Sequence, residues 1–420
     1  MRRTVSLLIG LLLISTAHGA EPKVWPSTPP KDCPFEKSKQ ITGVAFTGRH
    51  KEYTGADTWY PSWAADGNLY SPFTDGKVGK VFSGSGYNFG KRCPPVTGYA
   101  TITGDDPMNL KFGNAGVIRH DPFPYGGQYP CGTLAHNGIL YHGSYTLDWH
   151  KRPWDTMGPF VGFNVSKDHG KTWMPEALTA KRPLFGESGK DGDPVLAWPN
   201  VNPNTSEKRI TMGKPGTRVK MGAPHFVDFG KNMEHSPDGK AYLVGHGATR
   251  GDSTCSWISG DQIYMARVTP SVKNINDVTK YEFFAGRDPA GKPIWVKDFA
   301  KIKPLVEWND RSGCVTMMYN ASLKKYLMCV TYGGKTGSGP YDTWIVESDK
   351  ITGPWRLVSY MAKFGQQAYF VNIPTKFVSK DGRTAWLCYS HGWSHKKPDP
   401  PGSRYAMNLQ EFRLLTPEKK

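Results

Sequence analysis

Residues able to do chemistry recur at the ends of apolar strands. They read Asp75-Gly76, His142-Gly143, His246-Gly247, Tyr332-Gly333 and His391-Gly392. Each pair closes a strand that follows a short turn. Four of these turns are Asp66-Gly67, Asn137-Gly138, Asp238-Gly239 and Asp381-Gly382, and a looser copy without the glycine lies in residues 320–331. With the turns at one end of the molecule, three histidines from distant segments reach the same height at the other end. Further polar residues flank that level: His50, Asp57 and Trp59 before the first hairpin, Arg119 and His120 before the second, His225 at the opening of the third, Arg250 after it, and Asn309-Asp310-Arg311 ahead of the fourth. For any single histidine the alternative is a structural residue capping a strand end. Asp57 has a similar alternative, as a backbone hydrogen-bond acceptor at a strand start.

A pocket of His, Tyr and Arg with few carboxylates suits β-elimination on a 4-linked uronate. A base removes the C5 proton and the C4 oxygen departs. The C5 proton is weakly acidic while the carboxylate is charged, so a cation must neutralise it. A histidine titrating near neutrality serves as base, and a second histidine or a tyrosine protonates the leaving oxygen. Other reaction classes lack their signatures: there is no nucleophile elbow, phosphate-binding glycine loop or zinc-protease motif. Paired carboxylates for glycoside hydrolysis are not evident in the sequence.

The elements that position these residues follow from composition and spacing. With 47 Gly and 34 Pro in 420 residues, long helices are excluded, while 38% apolar residues support a substantial core. Tight turns between apolar runs join neighbouring antiparallel strands. Ser166-Lys-Asp-His-Gly-Lys-Thr-Trp173 fits the Asp-box pattern of propeller blades, a structural hairpin with an inward Trp, and Ser348-Asp-Lys-Ile-Thr-Gly-Pro-Trp355 has a similar layout. About 400 residues at roughly 50 per blade give six to eight blades. The expected fold is all-β: a single β-propeller, seven-bladed, with four-stranded antiparallel blades.

Residues 1–20 have the layout of a secretory signal peptide, a basic start followed by an apolar run and small residues. Residues 21–420 then form one catalytic domain, secreted or periplasmic, without a membrane span and expected to be monomeric. The seven cysteines (Cys33, Cys93, Cys131, Cys255, Cys314, Cys329, Cys388) read as buried small apolar residues with one or two disulfides among them. No cofactor is required by the sequence, and a structural metal ion, for example on His246 and Cys255, stays open as an alternative. The net charge of +17, or +15 once Arg2 and Arg3 are removed, is dispersed along the chain. For a secreted protein it points to an acidic polysaccharide rather than nucleic acid, since no basic helix or interleaved basic-aromatic run occurs.

Residues 42–76, with Thr-Gly-Arg-His-Lys-Glu-Tyr-Thr-Gly-Ala-Asp-Thr-Trp-Tyr-Pro-Ser-Trp at residues 47–63, resemble secreted propeller enzymes that release L-rhamnose from α-1,4-linked D-glucuronate at the tips of arabinogalactan side chains. Residues 222–231 and 236–247 are similar to the same group. The resemblance implies two alternative activities. One is an α-L-rhamnosidase using a histidine near the chain start, which His50 matches. The other is a lyase related to ulvan lyases, with His142 or His120 as base, Tyr145 as acid, Arg250 or Arg311 neutralising the carboxylate, and His225, Trp59 and Asp57 as binding residues. The His-rich, carboxylate-poor residue set favours the lyase. A non-catalytic binder of acidic glycans is the alternative from another class.

Overall fold

The computed structural model describes residues 21–85, 95–120, 127–148, 156–157, 160–174, 178, 183–186, 219–249, 255–334, 339–392 and 399–417. The expected signal peptide, Cys93 and Arg250 lie outside the described residues.

Five antiparallel sheets follow one another along the chain. Blade 1 holds Ser62–Trp63, Leu69–Phe73, Val96–Thr103 and Lys111–Arg119. Blade 2 holds Gly127–His136, Ile139–Asp148 and Phe163–Ser166, with the short Thr156–Met157 on the far end of its second strand. Blade 3 runs His225–Phe226, Ala241–Gly247, Gln262–Val268, Glu282–Arg287 and Pro293–Val296, and Val306–Glu307 also pairs with its third strand. Blade 4 runs Val315–Asn320, Lys325–Tyr332, Asp342–Ser348 and Arg356–Met361. Blade 5 begins with Ala368–Asn372, Thr384–His391 and Asn408–Leu415, and the N-terminal strands Gly43–Glu52 and Lys23–Val24 complete it. Chain ends thus share one sheet, which removes the open edge between first and last blades.

Hydrogen bonds between innermost strands close the ring. Ala135 N donates to Ser62 Oγ (2.9 Å) from blade 2 to blade 1, and Gly132 N to Pro224 O (2.9 Å) from blade 2 to the start of blade 3. Asp228 N donates to Met317 O (2.9 Å), Thr316 Oγ1 to Val371 O (2.8 Å), and Asn372 Nδ2 to Trp59 O (3.0 Å), returning to blade 1. The fold is therefore a β-propeller with five blades rather than the expected seven, and its blades are not uniformly four-stranded.

Each turn read from the sequence joins the first and second strands of one blade. Asn137 (φ 50°) and Gly138 (φ 77°) both adopt the left-handed conformation that a two-residue hairpin demands. In blade 4 Lys324 (φ 54°) takes that role without a glycine, which explains the looser copy. The Asp box links blade 2's third strand to the segment carrying Trp173. Asp168 accepts from Thr172 N (2.9 Å) and Thr172 Oγ1 (2.6 Å), Ser166 Oγ accepts from Gly170 N (2.8 Å), and the Trp173 ring packs against Tyr99 of blade 1. The core consists of such aromatic and aliphatic layers between facing blades.

Six cysteines are described and all are free thiols, five of them buried. The expected disulfides are therefore absent among the described residues, and these side chains serve as small apolar packing groups. No helix among the described residues is long and apolar enough to cross a membrane.

Candidate functional site

The innermost strands begin at one end of the axis, and the side chains there converge. Tyr60 comes from blade 1, Cys131 from blade 2, His225 from blade 3, Cys314 from blade 4 and Phe370 from blade 5. The Tyr60 ring lies 4.1 Å from the His225 ring and 5.5 Å from Phe370, between centroids. Its hydroxyl is 3.5 Å from Cys314 Sγ, which is 3.8 Å from His225 Nε2. Burial, aided by His246, pulls the His225 imidazole down to about 3, and burial pushes the Cys314 thiol up to about 12. Both are neutral at physiological pH.

Asp57 sits beside this ring, in the segment leading into blade 1's inner strand. Its backbone is fixed by a bridge to Thr74, with N–H···O distances of 2.9 and 3.0 Å. Thr58 Oγ1 donates to Asp57 Oδ1 (2.8 Å) and the Tyr369 hydroxyl to Oδ2 (2.9 Å), while the nearby Tyr405 hydroxyl donates to Asp75 O (3.2 Å). Burial, followed by the nearby Asp75 charge, raises the Asp57 carboxyl to about 8. Asp57 therefore holds a proton at neutral pH, a condition that environment alone imposes on a carboxylic acid. Asp75 itself accepts from Ser85 N (2.7 Å) and from the Ser85 hydroxyl. Thr58 (φ 67°) and Phe370 (φ 58°) flank the carboxyl and its tyrosine in the left-handed region, which costs a β-branched or bulky residue free energy.

Aromatic side chains fill out the mouth. Tyr145 stacks on Tyr129 with centroids 5.3 Å apart, and Tyr145 lies within electrostatic reach of Asp57, Cys131 and Cys314. Burial raises Tyr60, Tyr145, Tyr369 and Tyr405 above the ordinary phenol range, so each remains a donor. Trp257 is half-buried, edge-on to Tyr341 (5.9 Å) and Tyr369 (5.4 Å), and its buried indole N–H has no hydrogen-bond partner. Beyond Tyr60 and His225 the axis continues as a cavity with about 50 Å³ of space, lined among others by Thr133, Asp228, Thr316 and Asn372. That is room for a few waters.

Of the residues singled out in the sequence, Asp57 and Tyr145 lie within electrostatic reach of each other, and His225 packs on Tyr60 and Cys314 in the same ring of inner-strand residues. His142 and His120 also meet, ring centroids 6.3 Å apart, but between blades 1 and 2. His142 is fully buried against the edges of Tyr99 and Trp173, its Nε2 3.3 Å from Ser144 Oγ, and His120 Nε2 lies 3.0 Å from Thr97 Oγ1. Burial drives His142 well below its ordinary value and His120 to about 4. The pair packs an interblade layer one strand or more outward from the axis. His246 is likewise on a second strand, its Nε2 donating to Ser256 O (2.6 Å). His50 lies on blade 5's fourth strand from the axis, with Nδ1 3.0 Å from Gly48 O, remote from Asp57's ring. Trp59 is fully buried, stacked on Phe73 (5.5 Å) with Nε1 donating to Ala56 O (2.9 Å), so it is core rather than a binding surface. Arg311 stands three residues ahead of Cys314, its guanidinium 5.4 Å from the Tyr332 ring centroid. No group of three or more His, Cys, Asp or Glu side chains suited to a metal ion is assembled among the described residues.

The sequence reading missed Tyr60, Cys314, Tyr369, Tyr405 and Trp257. Tyr60 was accessible, since it stands three residues after Asp57 at the opening of the first hairpin's inner strand. Tyr369 and Tyr405 carry no local signal, because closure of blade 5 onto blade 1 is what brings them to Asp57.

No protein-family profile and no curated protein matches the chain. Solved structures of similar trace include a GH43_1 enzyme from Xanthomonas citri (12% identity, 86% of this chain and 88% of that one, TM-score 0.44). Another is the α-L-arabinofuranosidase PaAbf62A from Podospora anserina (13%, 94% and 98%, 0.41). A third is CoXyl43, a GH43 β-xylosidase/α-arabinofuranosidase from a compost microbial metagenome (13%, 91% and 95%, 0.43). This likeness shows no family for the chain, and the chemistry of the mouth rests on this chain's own residues.

Proposed function

We propose that the protein is a carbohydrate-active enzyme that cleaves a glycosidic bond of an acidic glycan at the axial mouth. Asp57 is the acid that protonates the departing oxygen. One observation carries this reading: a buried carboxyl raised to about 8 and held by Thr58 and Tyr369 where the inner strands begin. An acid of that strength keeps its proton, and is uncharged, at neutral pH and still releases it readily. The surrounding phenols, all protonated, supply hydrogen bonds to sugar hydroxyls. The chain's excess of basic residues and the Arg311 guanidinium suit an anionic substrate.

The substrate proposed is terminal L-rhamnose α-1,4-linked to D-glucuronate in an arabinogalactan-type glycan. It rests on the resemblance of residues 42–76, the segment that contains both Asp57 and Tyr60. Cleavage goes by β-elimination. His225 in its neutral form takes the C5 proton, the electron pair forms the C4–C5 double bond, the C4–O bond breaks, and the oxygen leaves with the proton from Asp57. The uronate carboxylate has to be neutralised for this transfer, and Arg311 is the cation proposed for that role. Hydrolysis of the same linkage by the usual two-carboxylate route requires a second carboxylate to activate water. Asp75, the neighbour of Asp57, is instead engaged by Ser85. A secreted or periplasmic location, expected from residues 1–20, suits an extracellular glycan.

The test is incubation with gum arabic and with isolated rhamnosyl-glucuronate, following free rhamnose and the ultraviolet absorbance of the unsaturated uronate together. Rhamnose with absorbance supports elimination. Rhamnose without absorbance replaces elimination by hydrolysis, and release of neither overturns the proposed substrate.

A further inference from the structure

A two-stranded hairpin, Gly76–Val78 and Val81–Ser83, projects between the second and third strands of blade 1, at the same end of the propeller as Asp57. Its two faces differ sharply. Val78 and Ser83 are buried, and Val78 joins the core layer that contains Trp59 and Ala56. On the opposite face Lys77 and Phe82 are cross-strand partners and both are exposed, as is Lys80 at the turn. Phe82 is 67% exposed, the highest value among the described large apolar side chains.

The hairpin is pinned rather than loose. Lys77 N donates to Gly55 O (3.1 Å), the Thr54 hydroxyl donates to Lys77 O, and Ser83 Oγ donates to Gly76 O (3.3 Å). At its base Asp75 binds Ser85, and Asp75 is the charge that acts on Asp57. An aromatic ring facing solvent costs free energy in the unbound protein, and one flanked by two cations on a fixed platform suits a flat apolar partner that carries negative charge. A uronate-bearing sugar chain has both properties, with C–H groups on the ring faces and carboxylates at the edges.

We propose that this hairpin is a second glycan subsite beside the mouth. Phe82 stacks on a sugar ring of the acidic chain, and Lys77 and Lys80 pair with its uronate carboxylates. This inference rests on the reading of the mouth as a site for acidic glycans, and it adds that the protein holds a polymer at a point away from the bond it cleaves.

The variants F82A and K77A/K80A are compared with the unaltered protein on gum arabic and on isolated rhamnosyl-glucuronate. F82A is expected to raise KM for the polymer about fivefold with kcat unchanged, and to leave both constants unchanged on the disaccharide. K77A/K80A is expected to weaken polymer binding and to flatten its dependence on salt. Gel electrophoresis through immobilised gum arabic gives a binding readout independent of turnover, and F82A should migrate with less retardation. Equal effects on both substrates, or unaltered KM and retardation in F82A, overturn the subsite. So does sedimentation showing a dimer that F82A dissolves, since the ring would then be covered by a second copy. Retardation of the unaltered protein without product release removes the proposed reaction and leaves the subsite standing. Product release with retardation insensitive to F82A does the reverse.

Discussion

The Tyr369 hydroxyl donates to Asp57 Oδ2 at 2.9 Å, joining the inner strand of blade 5 to the segment that leads into blade 1. Three residues after Tyr369 and two after Asp57, Asn372 Nδ2 donates to Trp59 O at 3.0 Å. The seam that closes the propeller is therefore also the seam that positions the proposed acid. Tyr369→Phe removes a donor that favours the charged carboxylate. Its expected effect is an upward shift of the alkaline limb of the pH–kcat/KM profile with the fold retained, measured across neutral to alkaline pH. An unshifted limb would mean that Asp57 does not set it.

Stability should depend on pH through Asp57 and the buried histidines, with opposite signs. Asp57 is raised from 3.8 to about 8, so between these values the folded state binds the extra proton and stability falls as pH rises. His120, His225 and His246 are lowered from 6.5 to about 4, 3 and 4, so below pH 6.5 the unfolded state binds more protons and stability falls with acid. Thermal melts should therefore peak in the weakly acidic range. Asp57→Asn should lessen the decline on the alkaline side and leave the acid decline in place. A decline toward pH 8 of equal steepness in both proteins would contradict the protonated state assigned to Asp57.

His142→Ala should act on stability and not on turnover. The ring is fully buried between blades 1 and 2, so truncation leaves a cavity, with an expected loss of about 1–3 kcal/mol. Denaturant unfolding gives that loss, and steady-state kinetics below the melting range should show kcat and KM unchanged. A large fall in kcat in a folded variant would return the pair His120 and His142 to the catalytic machinery.

Trp59→Ala should likewise destabilise, by about 3–5 kcal/mol, because the ring is enclosed by Phe73, Phe112 and the core layer around them. Unfolding curves measure this directly. A selective rise in KM without loss of stability would show that the indole meets substrate.

Much of the propeller was legible because turn chemistry is local. Asp-Gly and Asn-Gly pairs require positive φ, and each marks the join between the first two strands of one blade. The five positions read from the sequence as strand ends, from Asp75 to His391, are one per blade, although His142 and Gly143 lie within the strand Ile139–Asp148 rather than at its end. The count of seven follows from assuming roughly 50 residues per blade, which leaves room for extra blades in the gaps between hairpins. Those gaps are taken up by the outer strands, by the added strands of blade 3 and by segments outside the described residues. The site was less legible, because it draws on the starts of inner strands while the eye is caught by polar residues at the ends of second strands. Gly143 and Gly247 stand one strand outward from the axis, and the histidines before them turn into the layers between blades. Asp57 precedes the inner strand of blade 1 and His225 opens that of blade 3, so both stand beside recognisable hairpins in the sequence. Tyr369 and Tyr405 become neighbours of Asp57 and Asp75 only through ring closure.

The most direct test of Asp57 as the acid at the axial mouth is kcat for Asp57→Asn on rhamnosyl-glucuronate, read as released rhamnose with the unsaturated uronate's absorbance. The variant keeps the shape and burial of the side chain and removes the transferable proton, at the cost of one acceptor for Thr58 or Tyr369. A fall in kcat of about a hundredfold or more, in a protein that melts cooperatively, is the predicted result. Turnover within about twofold of the unaltered protein would contradict it.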